Sequence, residues 1–312
     1  MAGTALPLGS RLIYETVHGS RAYGLSREDS DIDVRGVIVG PGSWYHGFRG
    51  GPEQVEESPD HVLYEIRKFF RLAAAANPTA LELLWTEPED HRVVARSGER
   101  LLAERGAFLS RRVAESFGKY ALSQLKRIQT HRRWLLHPPK HEPKRADFGL
   151  PERTVIPGDQ LGAAETLIAQ GKLEEADLTP NFLAILDRER GYRQARNEWQ
   201  QYRSWQKNRN PARAELEARY GYDTKHAMHL VRLLRMGAEI LSTGRVTVRR
   251  PDREELRAVR DGAWAYEELL AQSETLSRKV DEAALRSSLP AEPDLAALDE
   301  LCRGIVEEEL HC

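Results

Sequence analysis

The sequence predicts an α+β protein, with a small mixed β-sheet and its helices in residues 1–105 and a mainly helical region over 106–312. Three observations predict it. Segments 11–18 (RLIYETVH) and 31–39 (DIDVRGVIV) are rich in β-branched and aromatic residues and are bounded by Gly, Ser or Pro. Beyond residue 97 apolar residues recur at helical spacing. That helical pattern is interrupted over 137–160 by Pro138, Pro139, Pro143, Pro151 and Pro157, which read as a loop.

The first strand ends at the turn Gly19-Ser20, and the second begins at Asp31. Residues 41–59, with their Gly and Pro clusters, read as loop. A third strand opens at Asp60 in DHVLY and runs into a helix reaching about Ala76, with Ile66, Phe69, Phe70 and Ala73 on one face. Asn77 is a suitable cap and Pro78 suits a first helical turn, so another helix follows, with Leu81, Leu84 and Trp85 as its apolar positions. A long basic amphipathic helix is expected over 108–136. Helices resume near 160–175, 180–209, 211–219, 224–242, 252–261 and 263–286.

Composition narrows the class. Of 312 residues, 40% are hydrophobic and 30% charged, as in a well-solvated globular protein. No apolar run is long enough to span a bilayer. Met1 to Gly9 has neither the basic patch nor the apolar stretch of a secretory signal. Cys302 and Cys312 are the two cysteines, which excludes a disulfide framework and favours a cytoplasmic location. The formal net charge of -2 argues against indiscriminate coating of nucleic acid. Local basic surfaces remain, because Arg, Lys and His concentrate in 111–145 and 188–219.

The segment Gly19-Ser20-Arg21-Ala22-Tyr23-Gly24, followed by Ser30-Asp31-Ile32-Asp33-Val34-Arg35-Gly36, carries chemistry. Residues i and i+2 of a strand share a face, so Asp31 and Asp33 project together while Ile32 and Val34 point into the apolar layer. Two carboxylates this close repel unless a cation lies between them. Magnesium, or manganese, suits such an oxygen-only pair. Two such ions roughly 4 Å apart align an attacking hydroxyl with an α-phosphate and stabilise the leaving pyrophosphate. Gly19 lets the backbone approach a phosphate closely. Ser20 and the following N–H groups favour phosphate oxygens, and Arg21 adds positive charge.

The string GSRAYG…SDIDVRGV resembles the nucleotidyltransferase signature of the DNA polymerase beta superfamily. More narrowly, SDIDVRGV, YEIRKFFRLA with NPTALELLW, and GYDTKHAMHLVRLLRMG resemble the RlaP group, which is associated with RNA repair. The resemblance implies that Asp31 and Asp33 bind catalytic metal and that Gly19 and Ser20 hold a nucleoside triphosphate. It also implies a third carboxylate on a neighbouring strand. Asp60, which opens the third strand, is the first choice for that role and for a metal ligand. Glu65, at the strand–helix transition, is the alternative. Such a group completes a metal site and takes the proton of the attacking hydroxyl.

Further phosphate-binding candidates are cationic. Lys68 lies one turn beyond Glu65 and either meets phosphate or pairs with that acid. Asp223 or Thr224 caps a helix whose Lys225, His229 and Arg232 are spaced by four and three and form a stripe suited to a triphosphate or an RNA phosphate. Glu82, among leucines, is expected to be partly buried and to need a partner. Between 188 and 213 arginines alternate with Tyr192, Trp199, Tyr202 and Trp205. The spacing of the last three favours packing over base stacking, while the cations remain available to RNA.

The expected activity is transfer of a nucleoside monophosphate from a nucleoside triphosphate to an acceptor hydroxyl. The resemblance implies an RNA end, of tRNA type, as acceptor, with the helical region closing the cleft and binding it. A nucleotidyltransferase modifying a protein or small molecule is one rival. A catalytically silent nucleotide- or RNA-binding module is another. No membrane partner is expected, and the sequence does not specify an oligomeric state.

Overall fold

In the computed structural model, residues 11–18 form strand β1 (Arg11–His18), which lies antiparallel to β2 (Asp33–Val39) along its length, from Arg11 opposite Val39 to His18 opposite Asp33. The structure describes residues 6–28, 30–153 and 180–311, together with Gly162 and Thr166. Strand β3 (Gln54–Ser58) forms an antiparallel hairpin with β4 (His61–Glu65), and β4 runs parallel to β2. With β5 (His91–Val94) the sheet has the order β3-β4-β2-β1-β5, so it is mixed, as expected.

Two details of the sheet depart from expectation. Strand β2 starts at Asp33 rather than at residue 31, because β1 ends at His18 and offers no ladder partner further on. Ile32 is accordingly 48% exposed and does not enter the apolar layer. Within the stretch expected to be loop, Ser43–His46 form the short helix α2, after α1 (Gly19–Ala22), and Gln54–Ser58 form β3. The polar sequence QVEES carries little alternation. It becomes a strand because it pairs with β4 as a largely exposed edge.

The helices on the sheet are α3 (Ile66–Ala74), α4 (Pro78–Leu84) and α5 (Arg96–Ala103). Helix α3 buries Ile66, Phe69, Phe70 and Ala73, the predicted face. Asn77 caps α4 by accepting a hydrogen bond from the Ala80 N–H at 3.2 Å, with Pro78 in the first turn. The long helix α6 spans Arg112–Leu136, shorter at its start than expected because Arg105–Phe108 form a separate 3-10 turn. Next come α7 (Pro180–Lys207), α8 (Pro211–Tyr220), α9 (Thr224–Thr243), α10 (Arg253–Arg260), α11 (Tyr266–Arg286) and α12 (Leu295–His311). Asp223 is the cap of α9, accepting from the His226 N–H at 3.0 Å, and Gly244 ends that helix in the left-handed conformation. The expected helix at 160–175 falls, apart from Gly162 and Thr166, outside the described residues, as do residues 154–160 of the expected loop.

The chain divides into two compact units, Met1–Gln129 with Leu216–Cys312, and Thr130–Glu215. The expected boundary near residue 105 falls inside the first unit. Its apolar cluster joins Ile13, Tyr14 and Val37 of the sheet to Phe69 and Leu81, to Phe117 of α6, to Val231 and Leu234 of α9, and to Ile305 of α12. The second unit centres on aromatic contacts among Trp134, Tyr202 and Trp205, and on an ion pair of Arg145 with the buried Glu189. The aromatics spaced along α7 therefore pack against one another, as their periodicity favoured. Among the described residues no helix is long and apolar enough to cross a membrane.

Candidate functional site

The signature turn follows directly from β1. His18 is the last residue of the strand, and Gly19 adopts φ +68°, a left-handed conformation that suits glycine. The chain then makes the single helical turn of α1. Its close is fixed by the Tyr23 N–H donating to the Gly19 carbonyl (3.1 Å) and the Leu25 N–H to the Ser20 carbonyl (2.8 Å). The first N–H groups of such a turn have no acceptor within it.

Asp33 lies opposite His18 in the ladder, and its carboxylate rests against Gly19. A β-carbon at residue 19 would run into the Asp33 Oδ2 atom. The turn and the acid thus meet through a glycine that no other residue replaces without moving the carboxylate. Asp33 is partly exposed, and its nearest cation is Arg35 at 3.8 Å. Asp31, exposed just ahead of β2, makes no side-chain hydrogen bond or ion pair among the described residues. Asp33 against the turn and Asp31, exposed two residues ahead of it, offer carboxylate oxygens alone, a donor type that fits a hard divalent cation, although Asp31 lies outside β2 and does not share a strand face with Asp33 as expected.

The other acids separate clearly. The Asp60 carbonyl accepts from the Val34 N–H at 2.6 Å, and Val34 pairs with His61, so Asp60 stands at the Asp33 end of the sheet with its side chain exposed. Glu65 pairs with Ile38, about 16 Å along β2 from Asp33 at 3.3 Å per residue. Glu65 is also occupied: buried, it caps α3 by accepting from the Arg67 and Lys68 N–H groups, pairs with the Arg67 side chain and receives the Tyr45 hydroxyl. Lys68 donates to Gln54 of β3 at 2.6 Å, also away from Asp33.

Arg21 turns away from open solvent and donates to the Ser30 carbonyl at 2.8 Å. The Ser30 hydroxyl in turn accepts from the Arg27 N–H. Arg21 therefore ties α1 to the loop that delivers Asp31. The same turn is held from the far end of the chain. The Arg250 N–H donates to the Tyr23 carbonyl, Arg257 to the Gly24 carbonyl and Arg260 to the Leu25 carbonyl.

Behind the turn lies a buried polar group. Glu82, 1% exposed, receives the Tyr23 hydroxyl at 2.5 Å and the Arg232 guanidinium at 2.5 Å, and the His18 Nε2 atom lies 3.4 Å away. Burial alone would raise the Glu82 carboxyl, but Arg232, His18 and Tyr23 outweigh it and bring the pKa down to about 2. Burial pushes the Tyr23 phenol well above its ordinary range, so it stays a donor. Arg232 was expected on an open cationic stripe with Lys225 and His229, yet it is buried with its charge directed at Glu82. Burial and the neighbouring Arg232 and Lys225 push His229 well below the usual imidazole range, so it is neutral at pH 7. The partner of Glu82 was not legible because it comes from residues far away in sequence, and His18 carried no local signal beyond preceding the Gly-Ser turn.

Residues 5–137 match the model of a family described as RlaP, the RNA repair pathway DNA polymerase beta family. The resemblance drawn from the motifs is thereby borne out over that stretch. The chain is also 38% identical over 81 residues to the uncharacterized protein YcgL of Bacillus subtilis (strain 168). It is 30% identical over 90 residues to an uncharacterized 38.9 kDa protein of the nrdC-mobD intergenic region of Enterobacteria phage T4. These alignments cover 24% and 25% of this chain and 31% and 27% of the relatives, so the chain spans less than a third of each relative's length. No solved structure matches significantly.

Proposed function

We propose, with residues 5–137 matched to the RNA repair pathway DNA polymerase beta family, that this protein is a nucleotidyltransferase that adds a nucleoside monophosphate to an RNA end. The observation that carries the reading is the apposition of the Asp33 carboxylate and the Gly19 turn. A triphosphate bound along that turn would have its phosphates within reach of both the first N–H groups of the turn and the Asp33 carboxylate.

Asp31 and Asp33 would hold the divalent cation, with Asp60 completing the set from the turn just ahead of β4. Bound there, magnesium supplies charge neutralisation for the α-phosphate and for the departing pyrophosphate. The chain's own groups do the rest. The Gly19 and Ser20 backbone orients the phosphates. The acceptor hydroxyl attacks the α-phosphorus, the bond to the bridging oxygen breaks, and pyrophosphate leaves. The hydroxyl proton passes to a carboxylate, for which the exposed Asp60 at the Asp33 end is the proposed acceptor. The Glu82 group maintains the turn from behind, through Tyr23 and His18.

The test is incubation with total RNA, magnesium and each α-labelled nucleoside triphosphate in turn. Label in RNA that ribonuclease removes supports the reading. Label confined to protein after ribonuclease treatment replaces RNA with a protein acceptor, and no incorporation with any nucleotide sinks the assignment.

A further inference from the structure

Helix α7 has one solvent face that carries cations and no acid. Arg193, Arg196, Gln200, Arg203 and Lys207 recur at intervals of three and four, so they line one side of the helix, and all are exposed. The stripe is about 21 Å long at 1.5 Å per residue. Asn197 and Ser204, which share this face, are exposed and neutral. The one acid between 193 and 207, Glu198, is directed to Arg133 at 2.6 Å and to the Trp134 ring N–H at 3.4 Å, off the stripe.

These cations differ from others in the same unit. Arg133, Arg145 and Arg190 each pair with an acid. Among the described residues Arg193, Arg196 and Lys207 make no hydrogen bond or ion pair, and Arg203 meets only the Trp199 ring, 5.9 Å away. Like charges three and four apart repel and weaken a helix. The opposite side of α7 counters this by packing Tyr202 and Trp205 onto Trp134.

We infer that this stripe is a docking surface for the phosphate backbone of RNA. A linear polyanion matches a row of unpaired cations along one side of a helix. The partly buried Trp199, with Arg203 over it, adds a ring at the edge of the row on which an unpaired base stacks. A membrane-binding helix would expose an apolar face beside its cations, and here the apolar side is turned into the aromatic cluster. A protein interface would place an apolar core at the centre of the patch, where Gln200 stands among the cations with Asn197 and Ser204 along one edge. The inference deepens the acceptor class of the proposed function and rests on that reading for the identity of the polyanion.

The test uses the full chain and a fluorescein-labelled RNA hairpin with a single-stranded 3′ tail, with anisotropy followed over a potassium chloride series. Changing Arg193, Arg196, Arg203 and Lys207 together to Gln is expected to weaken binding about tenfold or more near 0.1 M salt and to reduce the log–log salt slope by about 3, at roughly 0.7 per lost phosphate contact. The variant Arg193→Lys, Arg196→Lys, Arg203→Lys keeps the charge and should bind within about threefold of wild type with an unchanged slope. Circular dichroism checks folding, and the milder pair Arg193→Gln, Arg196→Gln, with half the slope change, serves if the fourfold variant unfolds. Wild-type affinity and slope in the folded Gln variants would overturn the inference, as would weakened binding with an unchanged slope. Stripe-dependent binding without nucleotide transfer by the wild type would leave the docking surface standing and sink the proposed function. Transfer to RNA by a stripe-neutral variant with unchanged binding would sink the docking surface alone.

Discussion

The Arg232 guanidinium on α9 lies 3.9 Å from the centre of the Tyr23 ring and donates to the buried Glu82 carboxylate. One arginine, distant in sequence, thus supports the residue that closes the signature turn and neutralises the acid behind it. Removing it leaves a buried, uncompensated carboxylate. Arg232→Ala is expected to cost about 3–5 kcal/mol, measured by urea unfolding. Combining Arg232→Ala with Glu82→Gln should recover much of that loss, and a double variant as unstable as the sum of the two singles would argue that the residues are not coupled.

Acid sensitivity follows from the same group. The folded-state pKa of Glu82, about 2, lies below the ordinary value of 4.5. The stabilisation it gives is therefore present in full above pH 4.5 and is lost as pH falls from there through about 2. Glu82→Gln should be less stable than wild type at pH 7, with the difference narrowing below pH 4.5. A constant difference across that window in denaturant titrations would contradict the assignment.

Gly19→Ala combines two penalties. The left-handed φ disfavours any side chain, and the new methyl would displace the Asp33 carboxylate. The stability loss is expected to be on the order of 1 kcal/mol or somewhat more. Nucleotide transfer should fall by about a hundredfold or more, the scale on which an ångström of misplacement acts. Thermal unfolding and single-turnover transfer together separate the two effects.

Asp60 and Glu65 make opposite predictions. Glu65→Ala removes the cap of α3 and should cost about 1 kcal/mol while leaving the magnesium dependence of transfer unchanged. Asp60→Ala should leave the melting temperature within a degree or so, about 0.5 kcal/mol for a surface change, and should raise the magnesium concentration needed for half-maximal transfer. The reverse pattern would return the third-carboxylate role to Glu65.

The sheet's central strands, the caps at Asn77 and Asp223, and the buried face of α3 were legible because each rests on a local pattern of spacing or turn chemistry. Strand β3 was not, because an edge strand needs little apolar alternation. Strand β5, HRVV, was missed because four residues after an acidic turn give too short a period. Helix α12 was also missed, although Asp294 caps it by accepting from the Ala296 and Ala297 N–H groups and Leu298, Leu301 and Ile305 supply a buried stripe. At the site, Gly19, Ser20, Asp31 and Asp33 could be picked out because they are close in sequence. The partnership of Glu82 with Arg232 was hidden, because only the folded chain brings the two together. The same burial removed Arg232 from the expected phosphate-binding stripe, since a helix periodicity gives the angle of a side chain but not what covers it.

Asp33, set against the Gly19 turn, is proposed to bind a triphosphate through a divalent cation. The decisive measurement is calorimetric titration of an α,β-methylene nucleoside triphosphate into wild type and Asp33→Asn, each with magnesium and with chelator. Binding to wild type should depend on magnesium, and folded Asp33→Asn should lose that dependence. Equal, magnesium-dependent binding by both proteins would contradict the proposed role of Asp33.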